Sequence, residues 1–247
     1  MKQIALCLVF IAIIVFGLVP PVWDLTDRVH VTRWDKLRGE EVVAIGPHER
    51  GWLSIGQASR NVLWAMVVAE DSRFYQHHGV DLREIWNSFL LNFQEGRIVR
   101  GGSTITQQVV KLTTLGREKT ILRKIREAIG ALVLECILDK DSILEWYINL
   151  VDFGGGVYGL KSAAEYYFET PALHLNVSQS VNLAVVLPSP NSRSQALRNR
   201  ALTQEGKRRF VHVLKELVAN KYITDAQMLE ALRTGDFGEP VIGIPEI

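Results

Sequence analysis

Twenty consecutive residues near the N-terminus, Ile4 to Trp23, carry no charge, and that run constrains the chain more than any other feature. About 20 predominantly apolar residues make a helix long enough to cross a bilayer. Lys2 precedes the run and Pro20-Pro21 ends it; the lysine favours a cytoplasmic N-terminus. The rival is a cleaved secretory signal, which has a shorter apolar core followed by a small-x-small site. "VPPVWDL" offers no such site. Residues 1–23 are therefore expected to form a cytoplasmic tip and one uncleaved transmembrane helix, with the remainder outside the cytoplasm. Trp23 and Trp34 flank the exit, either at the membrane interface or as ordinary packing residues.

The rest of the chain has the apolar content to build a core: 47% of the 247 residues are apolar and 22% are charged. A net charge of +1 gives no reason to expect nucleic acid. Cys7 sits in the apolar run and Cys136 on an expected core face, so no bridge or metal set is indicated. Residues 24–58 are mixed, a juxtamembrane lead-in with one short extended piece, "EVVAIG". From Ser59 the pattern is helical almost to the end, which predicts one mainly α domain over 59–247. "SRNVLWAMVVAED" reads as an apolar helix. "DLREIWNSFLLNFQEG" opens with Asp81 and Glu84 at capping-box spacing and closes at Gly96. In "KTILRKIREAIGALVLECILDK", Ile121, Leu122, Ile125, Ile129, Leu132, Val133 and Cys136 share one stripe, the expected core face. "DSILEWYINL" places Ser142 and Glu145 at capping-box spacing. Further helices are predicted over 161–168, 177–187, 201–219 and 224–234. Two glycine-rich joints, "RGGST" and "FGGGVYG", are either plain loops or places where backbone approaches a bulky polar ligand.

Several residues have two readings. Glu70 ends an apolar run in "VVAEDSRFYQHHGVD"; it is either a solvent-facing helix end or a desolvated carboxylate suited to general base work. His77 and His78 are adjacent and lack ligand company, which argues against a zinc-type site. "GGSTITQQ" suits sugar hydroxyls and phosphate oxygens, and equally suits a helix cap at Ser103 or Thr104. Lys119, Arg123, Lys124 and Arg126 make a basic stretch around Glu127, and Arg123 and Glu127 share the face opposite the apolar stripe. They make either a surface i,i+4 pair or a phosphate-binding face with one acid embedded in it.

Taken together, these pieces resemble the signatures of the peptidoglycan glycosyltransferases, family 51. Glu70-Asp71-x-x-Phe74-x-x-His77-x-Gly79 resembles the first, "GGSTITQQ" the second, Arg123-Lys124-x-x-Glu127 the third, "ILEWYIN" the fourth and "GGGVYGLKSAAEYYF" the fifth. Their order and spacing fit from about Val62 to Ser192. The resemblance implies a lysozyme-like, all-helical fold with a mobile subdomain that touches the membrane. It implies polymerisation of lipid II onto a growing glycan strand at the cytoplasmic (inner) membrane. By motif, Glu70 would be the base and Glu127 would support the donor end. Lys119, Arg123 and Lys124 would offset pyrophosphate charge. Asp71, Phe74, His77, Gly102, Ser103, Thr104, Gln107, Gln108, Lys111 and Asn149 would orient or hold substrate. No tightly bound cofactor is implied, only a divalent cation such as Mg2+ or Mn2+ on the substrate pyrophosphate. Other cell-wall synthesis proteins are the implied partners, and nucleic acid is not.

Ser-x-x-Lys and Lys-Thr-Gly are both absent, so the resemblance is to the monofunctional biosynthetic members without a transpeptidase. Leu112 and Glu169 depart from the family pattern, which usually has Asn and Gly there. A lytic transglycosylase or muramidase is the second enzymatic possibility, although cleaving finished glycan needs no pyrophosphate patch. A membrane-anchored scaffold is the non-enzymatic one, and it would have no need to keep both glutamates.

Overall fold

The computed structural model describes residues 17–35, 39–97, 101–115 and 120–235. Ten α-helices and one hairpin are seen among them. β1 (Val29–Asp35) pairs antiparallel with β2 (Gly39–Ile45), Val29 opposite Ile45 and Asp35 opposite Gly39. The helices are α1 (Arg60–Asp71), α2 (Leu82–Glu95), α3 (Ile105–Thr114), α4 (Ile121–Ile137), α5 (Lys140–Leu150), α6 (Leu160–Phe168), α7 (Val177–Val186), α8 (Pro190–Arg198), α9 (Gln204–Ala219) and α10 (Asp225–Thr234).

α7 is apolar around most of its circumference, as a helix enclosed on all sides must be. Val181, Leu183, Ala184, Val185 and Val186 are all buried, and α1, α9 and α10 pack around them. α1 begins at Ser59, whose hydroxyl accepts from Asn61 N (3.2 Å) and donates to Leu175 O (2.9 Å). Val62, Ala65, Met66 and Val67 then bury one face, so the chain reaches Glu70 at the end of a helix packed into the core. A second group of helices, α3, α4 and α5, packs together beside this one.

The lead-in and Val22, at the end of the expected anchor run, share this core. Val22, Leu25, Val29, Val31, Ile45 and Leu53 belong to the same buried cluster as the helices. A two-stranded hairpin is marginal alone, and this one is pinned at its far end. Arg33 Nη2 donates to Asn149 O (2.8 Å), its guanidinium lies 5.0 Å from the Tyr158 ring centroid, and Trp34 N donates to the Tyr158 hydroxyl (3.1 Å). Trp23 and Trp34 are both exposed.

Three expectations need correcting. The apolar stripe of α4 faces outward: Ile121 is 83% and Leu122 57% exposed, while Glu127, Gly130, Ala131 and Leu134 form the buried face. Gly130 lies in that face because Pro20 and Val110 press against it, within 2.8 Å of where a Cβ would stand. Cys136 is exposed with the stripe. Ser142 is not a cap; α5 starts one residue after Asp139, whose carboxylate accepts from Ser142 N (2.8 Å). Glu145 instead accepts from Trp52 Nε1 (2.8 Å) and Ile55 N (2.7 Å), tying the lead-in to α5. Finally, α8 and the strand β1 were not anticipated.

Most of the expected transmembrane run, residues 1–16, lies outside the described residues. Among the described residues no helix is long and apolar enough to cross a membrane.

Candidate active site

The loop after α1 that reaches Gly79 and the start of α3 are built as one unit. Thr104 caps α3: its hydroxyl accepts from Gln107 N (3.1 Å), and Gln107 Oε1 accepts from Thr104 N (3.0 Å). The same hydroxyl donates to Gly79 O (2.6 Å), so cap and loop are locked together. Asp71 closes the unit. Its carboxylate accepts from Ile105 N (3.0 Å), in the first turn of α3 where unsatisfied N–H groups favour an anion. The same carboxylate lies 3.0 and 3.1 Å from His77 Nε2, which therefore donates to it.

Glu70 projects from this unit into a cleft of about 870 Å3. Its side chain is 10% exposed. Gln108 Nε2 donates to Oε2 (2.9 Å), and Arg209 Nη2 on α9 lies 3.7 Å from Oε1. Burial pushes the Glu70 carboxyl above the usual carboxylate range; the Gln108 hydrogen bond and the charges of Arg209, Lys111 and Arg193 offset part of that rise. A carboxylate with raised proton affinity, facing an open cleft, is what proton abstraction near neutral pH requires.

A charged cluster adjoins the cleft at Ser103, which lines it, and Lys124 Nζ donates to the Ser103 hydroxyl (2.8 Å). Lys124 also pairs with Glu127, and Arg123 Nη1 lies 3.5 Å from the same carboxylate. Glu127 is only 2% exposed, so the expected surface pair is a buried acid clamped by two cations. A carboxylate held that way fixes the two cations in place. It is poorly suited to ligate a free divalent ion, because Arg123 and Lys124 already neutralise it. Among the described residues no cluster of three or more His, Cys, Asp or Glu side chains could hold a metal.

The sequence-predicted residues thus divide in two. Glu70, Asp71, Ser103, Gln108 and Lys111 line the cleft, and Arg123, Lys124 and Glu127 join it through Ser103. Phe74, His77, Thr104, Gln107 and Asn149 are buried behind it. Phe74 packs under the Lys140 ammonium, 4.4 Å from its ring centroid. Asn149 bonds to Leu53 N (2.8 Å), Leu53 O (2.9 Å) and Glu145 O (2.8 Å). Gly102 lets the loop pass close to the backbone of Ile85 on α2. Lys119 lies outside the described residues.

Sequence reasoning missed Arg193, Arg209 and Asp152. Arg193 Nη2 pairs with Glu205 (2.8 Å), and Arg209 Nη2 also donates to Ala69 O (3.0 Å). Both read locally as polar positions of surface helices. Only the fold brings them to Glu70.

A biosynthetic peptidoglycan transglycosylase of Paraburkholderia phytofirmans is 45% identical over 139 residues, 56% of this chain and 58% of that protein. One of Burkholderia cenocepacia is 46% identical over 139 residues, 56% of this chain and 57% of its own length. The chain thus covers less than two thirds of each relative. The family model described as Transglycosylase matches residues 38–218, most of the 247, and the chain belongs to the transglycosylase family.

Proposed function

We propose that the chain is a peptidoglycan glycosyltransferase that polymerises lipid II into glycan strands without transpeptidase activity, on a lysozyme-like fold. One observation carries it: a desolvated carboxylate, Glu70, opens into a cleft that Lys124, paired with the buried Glu127, joins through its bond to Ser103. Glu70 takes the proton from the 4-hydroxyl of the acceptor sugar. The freed oxygen attacks the anomeric carbon of the lipid-linked donor and inverts it from α to β. The bond to the pyrophosphate breaks, and polyprenyl pyrophosphate leaves with the electron pair. Lys124 and Arg123, aimed by Glu127, and Ser103 stabilise the charge on the leaving group. No step is assigned to a divalent cation. Phe74, His77, Thr104, Gln107 and Asn149 act as the frame that holds these groups.

The test reads the phosphate side. Full-length protein in detergent, given labelled lipid II, should release polyprenyl pyrophosphate in step with sugar incorporation. The rate should fall as pH drops through the raised Glu70 value, placing the acid limb above the ordinary 4.5 of a glutamate. An acid limb at or below that value would remove Glu70 from the role. Release of pyrophosphate without sugar incorporation would point to hydrolysis.

The membrane belongs to the same reading. α2 exposes Leu82, Trp86, Phe89 and Phe93, with Phe93 78% exposed, and the stripe of α4 exposes Ile121, Leu122 and Ile125. Trp86, Phe89 and Phe93 stack in sequence along α2. Exposed apolar patches of this kind mark interaction sites, and a lipid-linked substrate presents itself at a bilayer. We place this face in the outer interface of the cytoplasmic membrane, with the N-terminal run as a single-pass anchor, N-terminus inside. Replacing Trp86, Phe89 and Phe93 together by Ser should lower turnover of vesicle-borne substrate by at least about tenfold, since each ring contributes roughly 1 kcal/mol or more on burial. The melting temperature should hardly move, because the rings are already exposed in the folded chain. Unchanged turnover on vesicles would rule out this face.

A further inference from the structure

One basic residue of the third signature has no part in the chemistry above. Arg123 and Lys124 pair with Glu127, whereas Arg126 turns to the N-terminal run, where its Nε donates to Leu18 O (3.4 Å). Gly17 and Leu18 are helical and Pro20-Pro21 follow, so this carbonyl lies at a helix end, where backbone oxygens lack helical partners. The exit of the run is then fastened to α4. Gly130, one turn after Arg126, leaves room for Pro20, whose Cγ stands 2.5 Å from where a Cβ would be. Val22 and Leu25, just beyond, are buried in the core. No slack separates the run from the domain, so Arg126 sits at the level where an anchor made by that run leaves a bilayer. Its neighbours suit that level. Leu122, one turn earlier on α4, and Ile125 are exposed members of the apolar stripe, and Trp23 stands exposed at the exit. Long cationic side chains and amphipathic rings gather at such an interface, with the stem against apolar surface and the charge at the headgroups.

We propose that Arg126, at the mouth of the anchor, is a binding site for the phosphate of an anionic phospholipid headgroup. This rests on the single-pass anchor and the membrane face proposed above. No carboxylate pairs with Arg126 among the described residues, and its two Nη nitrogens meet no acceptor there. A guanidinium presents those nitrogens as a fork that fits two phosphate oxygens. A cation with no acid beside it, held at a bilayer surface, favours a headgroup of net negative charge. The pyrophosphate of the substrate is not the occupant, because Arg126 does not line the cleft and is bonded to the run that forms the proposed anchor.

The test is native mass spectrometry of the full-length chain taken from detergent micelles that hold equal amounts of phosphatidylglycerol and phosphatidylcholine, with no lipid II present. The wild type should retain the anionic lipid over the zwitterionic one by roughly fivefold. Arg126→Gln should lose that preference, and Arg126→Lys, which keeps the charge without the fork, should keep part of it. A wild type with no preference, or an Arg126→Gln chain with the wild-type preference, would overturn the site. Should the glutamine variant not fold, salt supplies a second arm: the wild-type preference should shrink as ammonium acetate is raised, and a preference indifferent to salt would again overturn it. Vesicles separate this proposal from the reading beneath it. A wild-type chain that washes off them in alkaline carbonate sinks the anchor as well, whereas one that stays embedded and shows no lipid preference sinks only the role of Arg126.

Discussion

Replacing Glu70 by Gln should reduce polymer formation by at least about 100-fold, the low end of what a positioned general base contributes. Glutamine keeps the shape and an acceptor oxygen for the Gln108 amide, so substrate binding should change little. The loss should therefore fall on kcat. The same change should not weaken the fold. Burial raises the folded-state proton affinity of Glu70 above its ordinary value of 4.5. A raised carboxyl contributes stability that is fully present below that ordinary value and is lost as pH rises through the folded-state value. Glutamine never ionises and escapes the loss. Glu70→Gln should thus melt with the wild type in acid and above it at neutral pH, as measured by circular dichroism. A variant that loses activity and also melts lower at pH 7 would show that Glu70 is structural. That pairing of lost rate with gained stability is expected where a site keeps a charge buried for chemistry.

Gly79→Ala should lose stability and activity together. Gly79 adopts φ +80°, a region that costs a non-glycine residue about 1 kcal/mol or more. A Cβ there would also lie 2.7 Å from the Ala131 carbonyl carbon and oxygen and 2.9 Å from Leu132 N. These are backbone atoms of α4 and cannot swing aside. Strain and overpacking together should cost about 3 kcal/mol, read as a lower denaturation midpoint. The loop can relieve the contact only by moving off α4, and that breaks the bond from the Thr104 hydroxyl to Gly79 O. Asp71 and Glu70 are set by the same unit, so polymer formation should drop in whatever protein remains folded. Gly56→Ala is the control, because nothing lies within 4 Å of its added Cβ. Equal effects at the two positions would contradict the close approach.

Much of this arrangement was legible where local rules decide it. The bounds of α1 and α2, the Asp81 cap, the closing Gly96 and the Thr104 cap follow from neighbours within a few residues. Periodicity found the apolar stripe of α4 but not its direction. A stripe that faces outward has the same sequence as one that faces a core, and only the small residues Gly130 and Ala131 hinted at which side packs closely. Ser142 and Glu145 have capping-box spacing by chance; Asp139, three residues earlier, is the better acceptor and takes the cap. The signal for α8 was present, since Pro190 stands at its first turn. β1 alternates buried Val29 and Val31 with exposed His30 and Thr32, a period-two pattern that was also there to read. Arg193 and Arg209 left no local trace. Their relation to Glu70 is made by α8 and α9 folding back toward the end of α1, and no spacing rule reaches that far.

The most direct measurement gives the purified full-length chain two substrates in parallel, labelled lipid II and finished peptidoglycan, and follows the glycan in each. Lipid II should become β-linked polymer while the finished peptidoglycan stays intact. Solubilised fragments from finished peptidoglycan, with lipid II unconsumed, would contradict the account and make the cleft that of a lytic enzyme.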